Sequence, residues 1–186
     1  MTNRAAGVVA AVILAAIVGG CGGSVEKPVT KDEIAHAEEK MRKLPSVVDS
    51  ERAVASIVQQ IADAAETIAP ELDWYPIANG AQGTLGCPSP YLETNGVSRT
   101  TGSLTSAVPI SDSDWPAVLS VARDIAGRNG LTSFTVRVDV AGRHDVVLHS
   151  PDDGNEIKLG TYKAALVNGS TGCRFTEEDL RKQPGN

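Results

Sequence analysis

The stretch Phe134-Thr135-Val136-Arg137-Val138-Asp139-Val140 alternates apolar and polar side chains at every step. A period of two belongs to a strand with one buried face, so the four apolar residues are predicted on one side and the three polar ones on the other. The stretch opens a series. Ala141-Gly142-Arg143-His144 reads as a turn, Asp145 to His149 as the next strand, and Pro151-Asp152-Asp153-Gly154-Asn155 as a strong turn cluster. Glu156 to Tyr162 follows as a third strand, with Lys163 to Val167 continuing it or forming a fourth. Connections this short cannot cross over a sheet, so the pairing is predicted to be antiparallel, a meander.

Upstream, the period changes to that of a helix. Ser111 and Asp114 stand three apart as N-terminal capping residues, and Trp115, Val118, Leu119, Ala122, Ile125 and Ala126 form one apolar face before Gly130 stops the helix. That central helix, residues 113 to 129, is expected to lie on the Phe134, Val136, Val138 face of the sheet. A stronger helical signal runs from Asp49 to Ala69, where Val54, Ile57, Val58, Ile61, Ala65 and Ile68 recur at steps of three and four before Pro70. Before it, Thr30 and Glu33 have the form of a capping box that opens a charged helix to about Leu44, ended by Pro45. With only Ile34, Met41 and Leu44 as large apolar residues, this first helix is expected to pack loosely or to project as a stalk.

The middle is less periodic. Leu72 to Ile77 and Ala81 to Cys87 look extended, and Val97 to Val108, rich in Thr and Ser, reads as an edge strand or ordered loop. The resulting fold class is α+β: N-terminal helices plus an antiparallel β-sheet packed by a central helix. One domain is expected over residues 31–180, with 181–186 as a flexible tail. The aromatic anchors should be Trp74, Trp115, Phe134 and Phe175.

Arg4, an apolar run from Ala5 to Val18, and Gly19-Gly20 before Cys21 have the order of an export signal. The run is shorter than the roughly 20 residues that span a bilayer. Val18-Gly19-Gly20-Cys21 resembles the lipobox of bacterial lipoproteins. Residues 1–20 are therefore expected to be removed and Cys21 to carry acyl chains such as palmitate, which would hold the protein at the extracytoplasmic face of the cell membrane. Residues 21–30 then form a tether; the eight from Gly22 to Val29 reach less than roughly 30 Å when fully extended.

Removing 20 of 186 residues leaves 166 and, with Arg4 gone, moves the formal charge from −6 to −7. That balance, with no Lys/Arg cluster in sequence, argues against nucleic acid and anionic lipid head groups as direct partners of the folded part. Aromatics at 4% advertise no stacking platform. Of three cysteines, Cys21 is assigned to lipid, and Cys87 and Cys173 remain as an even pair in a disulfide-permissive compartment. They are expected to bond; the alternative is two separately buried thiols. Neither has the neighbours of a metal motif, so no metal site and no cofactor are expected.

The candidate chemistry is sparse. Asp112 and Asp114 could work as paired carboxylates, as in glycoside hydrolysis, or could cap the central helix. Asp152 to Glu156 faintly resembles a cation loop but lies where a hairpin needs its turn. His144 and His149 would point to opposite faces of one strand, and His36 lies on a polar helix. Ser24 and Lys27 have the Ser-x-x-Lys spacing of penicillin-recognising enzymes, but sit in the tether. Asn168-Gly169-Ser170 has the form of a sequon and is read as a turn before Cys173. No nucleophile elbow, P-loop or dinucleotide fingerprint is present.

Trp74, Cys87, Asp114-Trp115 with its helix, and Asn168-Gly169-Ser170-Thr171-Gly172-Cys173 together resemble the LppA-type family of mycobacterial lipoproteins, from roughly Met41 to Phe175, plus the lipobox at Cys21. The resemblance implies a lipid-anchored envelope protein whose cysteines can pair. It brings no catalytic residues to carry over. The expected function is a non-enzymatic binding or scaffolding module for an unknown envelope protein or ligand; the alternative is a small envelope hydrolase with dispersed catalytic residues.

Overall fold

The computed structural model describes residues 28–77 and 83–182. The signal, Cys21, most of the tether, the start of the predicted strand at Ala81 and the last four residues lie outside them. Helix α1 (Lys31–Arg42) opens on a complete capping box: Glu33 N–H donates to the Thr30 hydroxyl at 3.2 Å and Thr30 N–H to the Glu33 carboxylate at 2.7 Å. It does not project as a stalk. Ala37 and Met41, one turn apart, are both buried, and the Met41 sulfur occupies the space where Gly96 has no side chain. One turn with a glycine facing it docks the helix, although most of its surface is charged.

Helix α2 (Val47–Ile68) begins two residues earlier than expected because Ser46, directly after Pro45, supplies the cap by accepting from Asp49 N–H. Val54, Ile57, Val58, Ile61 and Ala65 are buried as their spacing predicts, and Ile68 is half-buried against the same core. Strands β1 (Tyr75–Pro76) and β4 (Leu104–Ser106) join β5 (Ser133–Val140), β6 (Arg143–His149), β7 (Glu156–Thr161) and β8 (Ala165–Ser170) in an antiparallel sheet of order β1-β4-β8-β7-β6-β5. Strands β2 (Thr84–Leu85) and β3 (Ser98–Arg99) pair as a separate ribbon.

The meander is present, and the fourth strand is real, but three details differ from the sequence reading. Strand β4 is not an edge: it lies between β1 and β8. Asn168-Gly169-Ser170 is strand, not turn. Gly169 faces α2 so closely that a Cβ there would overlap Val54, which lets the helix settle onto β8. The third difference is in β5, where Val136 pairs with Val146 but Val138 pairs with Asp145, leaving Arg137 as the extra residue of a bulge.

A bulge switches the faces of everything beyond it. Phe134 and Val136 share the inner face with Leu148 and Val146, whereas Val138 and Val140 stand opposite Asp145 and Arg143 on the outer face, and Asp139 turns inward opposite His144. Helix α3 (Trp115–Arg128) accordingly does not lie on Phe134, Val136 and Val138. It packs against α2 and β6, where Trp115, Val118, Ala122 and Ile125 meet Val146, Leu148, Ile157 and Leu159 in the core. Val136 is left 49% exposed. Ile125→Asp is therefore expected to cost several kcal/mol by burying an unpaired charge, and Val136→Asp no more than about 1 kcal/mol of strand preference. Urea denaturation of both variants separates the two sites; equal losses would contradict this packing.

Candidate functional site

After Ser170 the chain leaves β8 and runs back along residues 97 to 101. Thr171 N–H donates to Arg99 O at 2.8 Å, Ser98 Oγ to Thr171 O at 2.5 Å, and Val97 and Arg174 exchange both backbone bonds at 2.9 Å. Cys173 is bonded to Cys87, with Cα atoms 5.8 Å apart, inside the usual range for a disulfide. Gly172 could be nothing larger, because a Cβ would overlap the carbonyl oxygen of Asp153. Motif residues of this segment are thus explained by close packing and cross-linking.

The residue after the cysteine was not singled out by the sequence, yet it organises this end of the molecule. Arg174 is 1% exposed. Its Nε donates to Ser50 Oγ at 3.1 Å, Nη1 to the carbonyls of Asp153 and Cys173 at 2.7 and 2.9 Å, and Nη2 to Asn155 Oδ1 at 3.0 Å. The Asp153 carboxylate lies 3.3 Å from Nη2. The guanidinium thus makes four hydrogen bonds and one ion pair. Burial pushes this group down from its ordinary range, and Asp153 pulls it back up. The Asp152 to Glu156 loop is accordingly the hairpin turn that its sequence suggests, with Asp153 and Asn155 as acceptors for arginine.

Beside this knot lies a cleft of about 420 Å³, walled by Lys40 of α1, Leu85, Pro88 and Tyr91, and by Glu156 and Ser170 of the sheet, with Cys173 at its edge. Its size is that of a small-ligand site. Leu85 is 45% exposed and Lys40 and Glu156 bring one charge of each sign. No histidine lines the cleft, and the Ser98 hydroxyl is spent on Thr171.

A second group of polar side chains gathers at the start of α3. His144 is buried, its ring stacked on Trp115 with centroids 4.7 Å apart and planes 9° from parallel. Nδ1 is 2.7 Å from Asp139 Oδ1 and Nε2 is 2.9 Å from Asp112 Oδ1. Ionised carboxylates only accept, so both nitrogens must donate for both bonds to form. Both ring nitrogens thus face carboxylates and not a hydroxyl or thiol. Asp112 also accepts from Gly142 N–H at 2.8 Å, tying the start of α3 to the β5–β6 turn, while Asp114 bonds Ser111. The two carboxylates that the sequence offered as a pair thus serve different structural bonds. His149 faces away from His144 and meets Thr135 Oγ1 at 3.3 Å; His36 is exposed on α1.

Asp112 is held below the usual carboxylate range, first by the Gly142 N–H and then by the His144 bond. A depressed folded value means that its stabilisation is complete above the ordinary value near pH 4 and is lost as pH falls through the folded one. In thermal melts from pH 6 to 3, Asp112→Asn is expected to melt lower than wild type at pH 6, with the gap closing below about pH 4. A gap constant across that range would show that Asp112 is not the group being titrated.

Among the described residues, no helix is long and apolar enough to cross a membrane, and no group of three or more His, Cys, Asp or Glu side chains could hold a metal ion. The family model of LppA, described as a lipoprotein confined to pathogenic Mycobacterium, matches residues 22–177. The crystal structure of the lipoprotein LppA from Mycobacterium tuberculosis superposes with a TM-score of 0.66 over 86% of this chain and 98% of its own, at 18% identity. That of a DUF4853 family protein from Actinomyces odontolyticus gives 0.50 over 73% and 72%, at 12% identity. Both share the fold. No curated protein matches the sequence.

Proposed function

From the premise that the chain belongs to the LppA family of lipoproteins, we propose that it is a membrane-anchored binding module, held by lipid on Cys21 at the extracytoplasmic face, that takes up a ligand or partner without turnover. The observation that carries this reading is the cleft beside Cys87–Cys173, sized for a small ligand and bounded by backbone that the disulfide and Arg174 brace. A braced recess with one exposed leucine, a tyrosine and two opposite charges favours recognition: it lowers the ordering cost of binding. The tether adds to this, because confinement in a thin layer raises effective concentration and lets modest affinity suffice.

A photo-crosslinking residue at Leu85, in the full chain in native envelope, should capture a reproducible species that is lost when Tyr91 is changed to Ala. Cys21→Ala should release the protein from the membrane fraction and lose the capture. Hydrolysis of an envelope ester or glycan, abolished by one Ser, Asp or His substitution that leaves the fold intact, would make the chain an enzyme instead.

A further inference from the structure

On the sheet face opposite α2 and α3 there is a basin of about 280 Å³ that shares no residue with the cleft. Its floor opens at Gly160, which stands between Asp145 and Leu166 in the ladder and places no side chain there. Arg137 reaches it from the bulge of β5, Arg143 from the start of β6, and Lys158 from β7. Tyr162, 59% exposed, closes one side with the Arg143 guanidinium 5.7 Å and the Lys163 amine 5.8 Å from its ring.

This is an unusual place for cations in an acidic chain. Of the residues that line the recess, Arg137, Arg143 and Lys158 stand against the single carboxylate of Asp145, a surplus of two positive charges, with Lys163 beyond Tyr162 at its rim. Such clustering is unfavourable without an anion to satisfy it, and two guanidinium groups are suited to a tetrahedral oxyanion through paired N–H bonds. A recess matches a discrete group better than an anionic bilayer surface, which would meet the rim and be repelled by the formal net charge of −6. We propose that this basin binds a phosphate monoester: the dianionic phosphate over Gly160 balances the surplus, and the organic part lies against Tyr162.

The probe is phenyl phosphate, titrated at constant ionic strength into the isotope-labelled full chain in phosphatidylcholine nanodiscs and followed by amide chemical shifts. Saturable shifts centred on residues 137, 143, 158, 160 and 162 are expected, with tighter binding than inorganic phosphate. Arg137→Gln combined with Arg143→Gln should weaken binding by about tenfold or more, the worth of at least one charge-assisted hydrogen bond, and Lys158→Gln by a smaller factor. Tyr162→Ser should erase the preference for phenyl phosphate over inorganic phosphate. These are surface changes, and an unaltered melting temperature shows that each variant is folded. Non-saturating shifts spread over many lysines and arginines would overturn the proposal. Shifts at the basin that appear only when phosphatidylglycerol is added to the nanodisc would overturn it too, in favour of the membrane surface.

Discussion

Arg174→Met is expected to destabilise the protein by about 3 to 5 kcal/mol, the range for breaking a buried ion pair from one side. Methionine fills much of the same volume, so the loss isolates the guanidinium and not the packing. It leaves the buried Ser50 hydroxyl, Asn155, two backbone carbonyls and the partly exposed Asp153 carboxylate without their donor. Arg174→Lys should recover only part of the loss, since one ammonium cannot present five donors in a fixed plane. Urea denaturation followed by the fluorescence of Trp74 and Trp115 measures both. A methionine variant within about 1 kcal/mol of wild type would mean that the network is dispensable and that solvent readily replaces it.

This network shows why the sequence exposed some features and hid others. The helix faces of α2 and α3 were legible because burial there follows local period, and Val54, Ile57, Val58, Ile61, Val118, Ala122 and Ile125 are all buried. The meander was legible because its turns carry their own chemistry, as at Gly142 and Gly154, both of positive φ. The face of Val138 was not. A bulge is one residue inserted between strands, and an unbroken apolar alternation from Phe134 to Val140 carries no mark of it.

Long-range partners were hidden for a related reason. Arg174 meets Ser50 across 124 residues and His144 meets Asp112 across 32, so no local window contains either bond. An arginine beside an apparent disulfide cysteine was the only hint, and it is a weak one. Gly169 and Gly172 stood out as a motif, but their cause, the approach of Val54 and of Asp153 O, exists only in the folded chain. The basin at Gly160 is hidden in the same way, since Arg137 of β5, Arg143 of β6 and Lys158 of β7 come together only through strand pairing.

Replacing Cys87 and Cys173 together with alanine is expected to cost about 4 to 5 kcal/mol, the chain-entropy value for a closure of this length, with native strain able to reduce it. The bridge spans 86 residues and encloses α3 and most of the sheet. Each single replacement should cost about as much as the pair, because either one opens the same loop. The cleft gives the bridge a second role. Residues 86 to 91 and 171 to 174 form facing parts of its wall, and the bridge ties them directly. Hydrogen exchange of the double variant under native conditions should rise first at 86–91, while amides of β6 and β7 keep their protection. If stability falls but exchange at 86–91 is unchanged, the bridge acts on the unfolded chain alone, and the cleft owes its shape to Arg174.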